Sequence, residues 1–71
     1  MKYDYGQAVG YKTVSESGVV SIKIASVVSI TPVETADQEE TFGFPIGTVM
    51  YRVEFGDGSD ILVPEQELDG I

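Results

Sequence analysis

The chain contains no cysteine and no histidine. The first absence excludes disulfide staples and thiolate chemistry, and it constrains the redox compartment only by a lean towards the cytosol. The second removes the commonest metal ligand and the commonest general base at neutral pH. Tryptophan is missing as well, and cations are scarce: four Lys and Arg stand against twelve Asp and Glu, a formal net charge of −8. Charge of that sign repels phosphate backbones and anionic membranes and favours cationic partners. No apolar run approaches the roughly 20 residues that a bilayer-spanning helix needs. The opening Met1-Lys2-Tyr3-Asp4-Tyr5-Gly6 has no apolar core of the signal-peptide kind. The expectation is a soluble, cytoplasmic protein that binds neither nucleic acid nor membrane.

What is present suffices for one small domain spanning 1–71. The chain has 71 residues, of which 42% are hydrophobic and 10% aromatic. A domain of this size buries only about 60% of its unfolded surface, so each core side chain carries weight. There is no internal repeat, no low-complexity tract and no linker.

The best-defined stretch is Thr48 to Pro64. Val49, Tyr51, Val53 and Phe55 alternate with Met50, Arg52 and Glu54, which predicts a strand with one apolar face. Asp57-Gly58 then predicts a tight hairpin turn of type I′, in which both central residues take positive φ. Pro64 donates no ladder hydrogen bond, so the returning strand is expected to stop there.

Before this hairpin, Gln7 to Val14 reads as a first strand, and Gly10 within it predicts a bulge or a close backbone approach. Tyr3 and Tyr5 ahead of it are placed to cover one end of a small core. Ser15-Glu16-Ser17-Gly18 is a turn by composition. Val19 to Val33 is β-branched throughout, and helix is disfavoured because such side chains lose χ1 freedom there. Val20, Ile22, Ile24, Ser26, Val28 and Ile30 share one face. Two small residues, Ala25 and Ser26, allow one bent strand or two joined by a kink. The expected strand runs from about Lys23 to Ile30, with a shorter extended piece before it.

From Thr31 to Gly47 the alternation fails. Thr35-Ala36-Asp37-Gln38 has the form of a capping box, and Asp37, Glu39 and Glu40 suit the positive end of a short helix. Gly43, Pro45 and Gly47 limit that helix to one or two turns. After Pro64, Glu65-Gln66-Glu67 predicts a single helical turn, with Leu68 and Ile71 pointing back to close the bottom of the core.

The run Tyr51-Arg52-Val53-Glu54-Phe55-Gly56-Asp57-Gly58-Ser59, followed by Val63-Pro64-Glu65-Gln66-Glu67-Leu68, resembles the carboxy-terminal half of SH3-like barrels of the Tudor and KOW kind. Tyr5-Gly6-Gln7-Ala8-Val9 is similar to the opening of the same barrels. The chain also resembles SH3-like immunity proteins of bacterial polymorphic toxin systems, over most of its length except Thr31 to Gly47. The resemblance implies an all-β fold: a small SH3-like half-open barrel of about five antiparallel strands, with one short helical turn in the long loop and one near the C-terminus. It implies a bacterial, cytoplasmic toxin inhibitor that neutralises a basic cognate toxin by covering its active surface. A KOW-like nucleic-acid role would require a basic patch that this chain lacks.

Chemistry in the remaining residues is sparse. Paired carboxylates such as Glu65 and Glu67 act as acid and base only where a dry pocket separates their pKa values, and a barrel this small encloses none. Asp57-Gly58-Ser59-Asp60 lacks the alternating ligands and distal glutamate of a calcium loop. A cationic ligand caged by Tyr3, Tyr5, Tyr11, Phe42, Phe44, Tyr51 or Phe55 competes with the core's need for the same rings. The expectation is therefore a non-enzyme with no cofactor and no metal. The candidate partner-binding residues are Asp37, Glu39, Glu40, Phe42, Phe44 and Ile46 in the long loop, with Arg52 and Glu54 on the polar face of the hairpin. An apolar anchor beside an acidic rim suits a basic protein, and burial of the same aromatics over the sheet edge is compatible with it. The partner is expected to be another protein, with the chain itself a monomer or weak dimer. The alternative is an adaptor that takes a peptide along a sheet edge or in an aromatic groove.

Overall fold

The computed structural model describes residues 2–71. In chain order it has strands β1 (Ala8–Val14) and β2 (Val20–Pro32), helix α1 (Ala36–Phe42), and strands β3 (Val49–Phe55), β4 (Asp60–Pro64) and β5 (Leu68–Gly70). A 3-10 turn over Glu65–Glu67 separates the last two strands. All neighbours are antiparallel, and the single sheet runs β4-β3-β2-β1-β5 without closing into a barrel. The expected half-open all-β architecture, with a helix in the long loop and a helical turn before the last strand, is the observed one.

β2 departs from expectation in length and in facing. It is one continuous strand of 13 residues, pairing with β1 along its first half and with β3 along its second. Val20 lies opposite Val14 and Ser26 opposite Ala8, whereas the pairing with β3 begins only at Ala25↔Phe55. A bulge between Val27 and Ser29 inserts one extra residue. Side chains alternate with a period of two, so this insertion moves Ile30 from the face of Ile22 and Ile24 to that of Ala25 and Val27. The six residues expected on one face are thus split: Ile30 packs against the core, while Val20, Ile22 and Ile24 are exposed.

The core comprises Tyr3, Val9, Ala25, Val27, Tyr51, Val53, Val63 and Leu68, with Tyr11, Ile30, Val49, Phe55 and Ile61 packed around it. Met50 and Val33 are buried outside this cluster, and Met50 lies opposite Pro64 and Thr31 on the other side of the sheet. Tyr3 seals one end, as the opening residues suggested. Its ring meets that of Tyr51 edge-on at 5.5 Å, and its hydroxyl donates to the Leu68 carbonyl at 3.0 Å. Tyr5 takes no part, being 69% exposed, and Ile71 does not close the core either.

One local expectation changes, and one that left two alternatives is resolved. The β3–β4 turn is not type I′, because Asp57 has negative φ and only Gly58 (φ 88°) is left-handed. Gly58 N donates to Phe55 O, and Phe55 N donates to Ser59 O, which makes a three-residue loop with its glycine at the left-handed position. Gly10 sits at no bulge, since the register runs unbroken through Gly10↔Ile24. It marks a close approach instead: a Cβ there would lie 3.0 Å from Ile22 Cγ2 and 3.7 Å from the Asp69 carbonyl.

Candidate functional site

The long loop folds as its polar residues dictate. Thr35 caps α1, with its hydroxyl accepting from Gln38 N at 3.2 Å while the Gln38 side chain accepts from Thr35 N at 3.1 Å. Gly43 ends the helix in the left-handed conformation and donates to Glu39 O. The loop then returns to the sheet through Val33 N to Thr48 O and Gly47 N to Val33 O.

This frame presents four carboxylates. Glu34, Asp37, Glu39 and Glu40 are all exposed, and Asp37 and Glu39 lie in the first turn, where the helix dipole favours negative charge. Glu39 also braces the loop, accepting from Ile46 N at 3.0 Å. Ile46 itself is 55% exposed, so an apolar side chain stands beside the acids. Phe42 and Phe44 are half-buried, so they serve more as supports than as anchors.

Arg52 and Glu54 share the outer face of β3 and are exposed. Arg52 is engaged by Asp60, Nη1 to Oδ1 at 3.1 Å. That pair is about half exposed and worth less than about 1 kcal/mol. Among the described residues it is the one ion pair, so none of the four loop carboxylates has a cation in contact. The expected loop residues are thus brought together, while Arg52 and Glu54 lie along the strand leading away from the loop.

Titratable groups elsewhere serve the scaffold. The Tyr51 hydroxyl donates to Glu65 Oε2 at 2.6 Å and accepts from the Lys2 and Tyr3 amides at 3.2 and 3.3 Å. Burial, reinforced by the Glu65 carboxylate, pushes Tyr51 above its ordinary value. The hydrogen bond from Tyr51 holds Glu65 below the usual carboxylate range. Asp57 is held low in the same way by the hydroxyl and amide of Ser59, at 2.6 and 3.0 Å, the geometry of a turn-closing carboxylate. Among the described residues no three acidic side chains converge as metal ligands. An open hollow of about 360 Å³ lies beside the outer edge of β1, lined by Tyr11, Lys12, Gln66, Glu67 and Asp69.

The sequence reading did not single out a second surface. Val14, Val20, Ile22 and Ile24 form an exposed apolar stripe on the β1–β2 hairpin, each more than half accessible. The β-branched run predicted a strand, but strand propensity is silent on which face meets the core. Matched against protein-family models, curated proteins and solved structures, the chain has no counterpart in any of the three.

Proposed function

We propose that this chain is a non-catalytic protein-binding domain, an immunity-type inhibitor that covers the active surface of a basic bacterial toxin in the cytoplasm. The observation that carries the reading is the exposed acidic helix, with no cation against it among the described residues, set beside the exposed Ile46. Unneutralised carboxylates steer a basic protein into contact and stand in for the phosphates that a nuclease surface accepts. The apolar neighbour supplies the desolvated contact that charge alone does not. The resemblance to SH3-like immunity proteins points the same way.

Co-expression with the product of the adjacent reading frame tests this. The expected result is a toxic product that this chain neutralises, with protection lost in the Asp37→Lys/Glu40→Lys variant. A harmless neighbour, or protection that survives both reversals, sinks the proposal. An adaptor role has one observation in its favour: β4 is an edge strand, so Asp60–Pro64 offers its outer side to an extended peptide.

A further inference from the structure

The β1–β2 hairpin outruns the rest of the sheet. β3 stops opposite Ala25 and β5 stops opposite Tyr11, so Lys12–Val14 and Val20–Ile24 form a two-stranded ribbon with both outer edges unpaired. Such a ribbon is marginal alone in water, yet here it carries Val14, Val20, Ile22 and Ile24 on one face, 54–64% exposed. Ile22 leans across Gly10 in the neighbouring strand, where a Cβ would lie 3.0 Å from its Cγ2. Four adjacent β-branched side chains at that exposure make a patch of roughly the few hundred Å² that marks an interaction surface.

We propose that a second copy of this chain packs on this stripe, face to face about a two-fold axis. Charge selects that occupant. Within residues 12–24, Lys12 is the one cation on the stripe's own face, with Asp69 and Glu54 near it, while Lys23 alternates to the other face and lies over the Phe55 ring. The carboxylates of α1 follow Pro32, at the opposite end of β2 from Val20, so they stay apart when two ribbons meet. The rim of the stripe carries both signs, with Lys12 opposite Ile22, Asp69 opposite Gly10 and Glu54 opposite Ser26. A two-fold copy brings the same mixed rim to meet it, whereas a purely cationic partner meets Lys12 on the stripe itself. The area falls short of the roughly 800 Å² per partner of a tight interface, so the dimer is weak and reversible.

The test is sedimentation velocity over a concentration series, with amide NMR shifts recorded on the same samples. Expected is a monomer–dimer equilibrium in which concentration-dependent shifts cluster within residues 10–26 of the unmodified chain. Added salt should strengthen it by screening the like charges. That is opposite to the salt response of a cationic partner on the acidic helix, so this inference and the inhibitor reading fail separately. Ile22→Thr/Ile24→Thr, which keeps β-branched strand formers, should weaken association at least about tenfold. A monomer at every concentration, shifts centred on α1, or undiminished association of the double variant overturns the proposal.

Discussion

The two halves of β2 carry similar side chains in opposite surroundings. Ala25 and Val27 lie at 3% and 2% exposure between β1 and β3, while Ile22 and Ile24, larger and more apolar, stand at 60% and 56%. The difference lies in the face as well as in the neighbours. Ile22 and Ile24 project to the outer face, on a half of the strand with β1 alone beside it, whereas Ala25 and Val27 project to the core face with Val9, Tyr51 and Val53. Hydrophobicity thus tracks burial poorly along this strand, and topology decides.

The sharpest way to break that contrast is one substitution in each half. Val27→Asp places an unpaired charge in the core and should unfold the domain outright, costing more than about 4 kcal/mol. Ile22→Asp should shift the melting temperature of the dilute protein by only a few degrees. Equal losses would abolish the distinction between ribbon and body.

Next in size is Tyr51→Phe, which strands the buried Tyr3 amide, takes a donor from Glu65 and costs about 1–3 kcal/mol in thermal or urea unfolding. The same pair predicts the pH profile. Because Glu65 titrates lower when folded, its contribution is complete above its ordinary 4.5 and is lost as pH falls through the depressed value. Because Tyr51 titrates higher when folded, its contribution holds below 10.0 and is lost as pH rises through the raised value. Glu65→Gln should flatten the acid limb of stability against pH, and an unchanged limb would show that other carboxylates govern it.

Smaller is Gly10→Ala. The added methyl meets Ile22 Cγ2 and costs about 1 kcal/mol, a penalty that Ile22→Ala should relieve in a double-mutant cycle. Zero coupling would show that Ile22 does not rest on β1. Least of all, Arg52→Ala should change stability by less than about 1 kcal/mol, and the change should shrink with added salt.

Much of the scaffold was legible because it is written locally. The Thr35/Gln38 capping box, the stop at Pro64, and the alternation of Val49, Tyr51, Val53 and Phe55 each reflect one residue's own geometry. The bulge at Val27–Ser29 was not legible, because it shows only as a parity change that needs β3 as reference. The facing of Val20, Ile22 and Ile24 was hidden for the same reason. They project to the outer face, opposite Ala25 and Val27, and no residue within 20–24 encodes which face the core covers. In the candidate loop, Asp37, Glu39 and Glu40 lie on the short helix that the capping box predicted, and Ile46 follows it exposed. Phe42 and Phe44 proved half-buried, since spacing by two in a glycine-proline frame fixes no depth.

The clasp between Tyr3 and Leu68, with Lys2 N donating to Glu65 at 3.0 Å, sets residues 2–3 beside residues 65–68. Joining these two segments through a short flexible tether and reopening the backbone between Ser17 and Gly18 would yield a circular permutant with the same sheet order. That permutant severs the ribbon's tip while leaving the clasp whole, so it separates the folding role of the hairpin connection from its role as a surface.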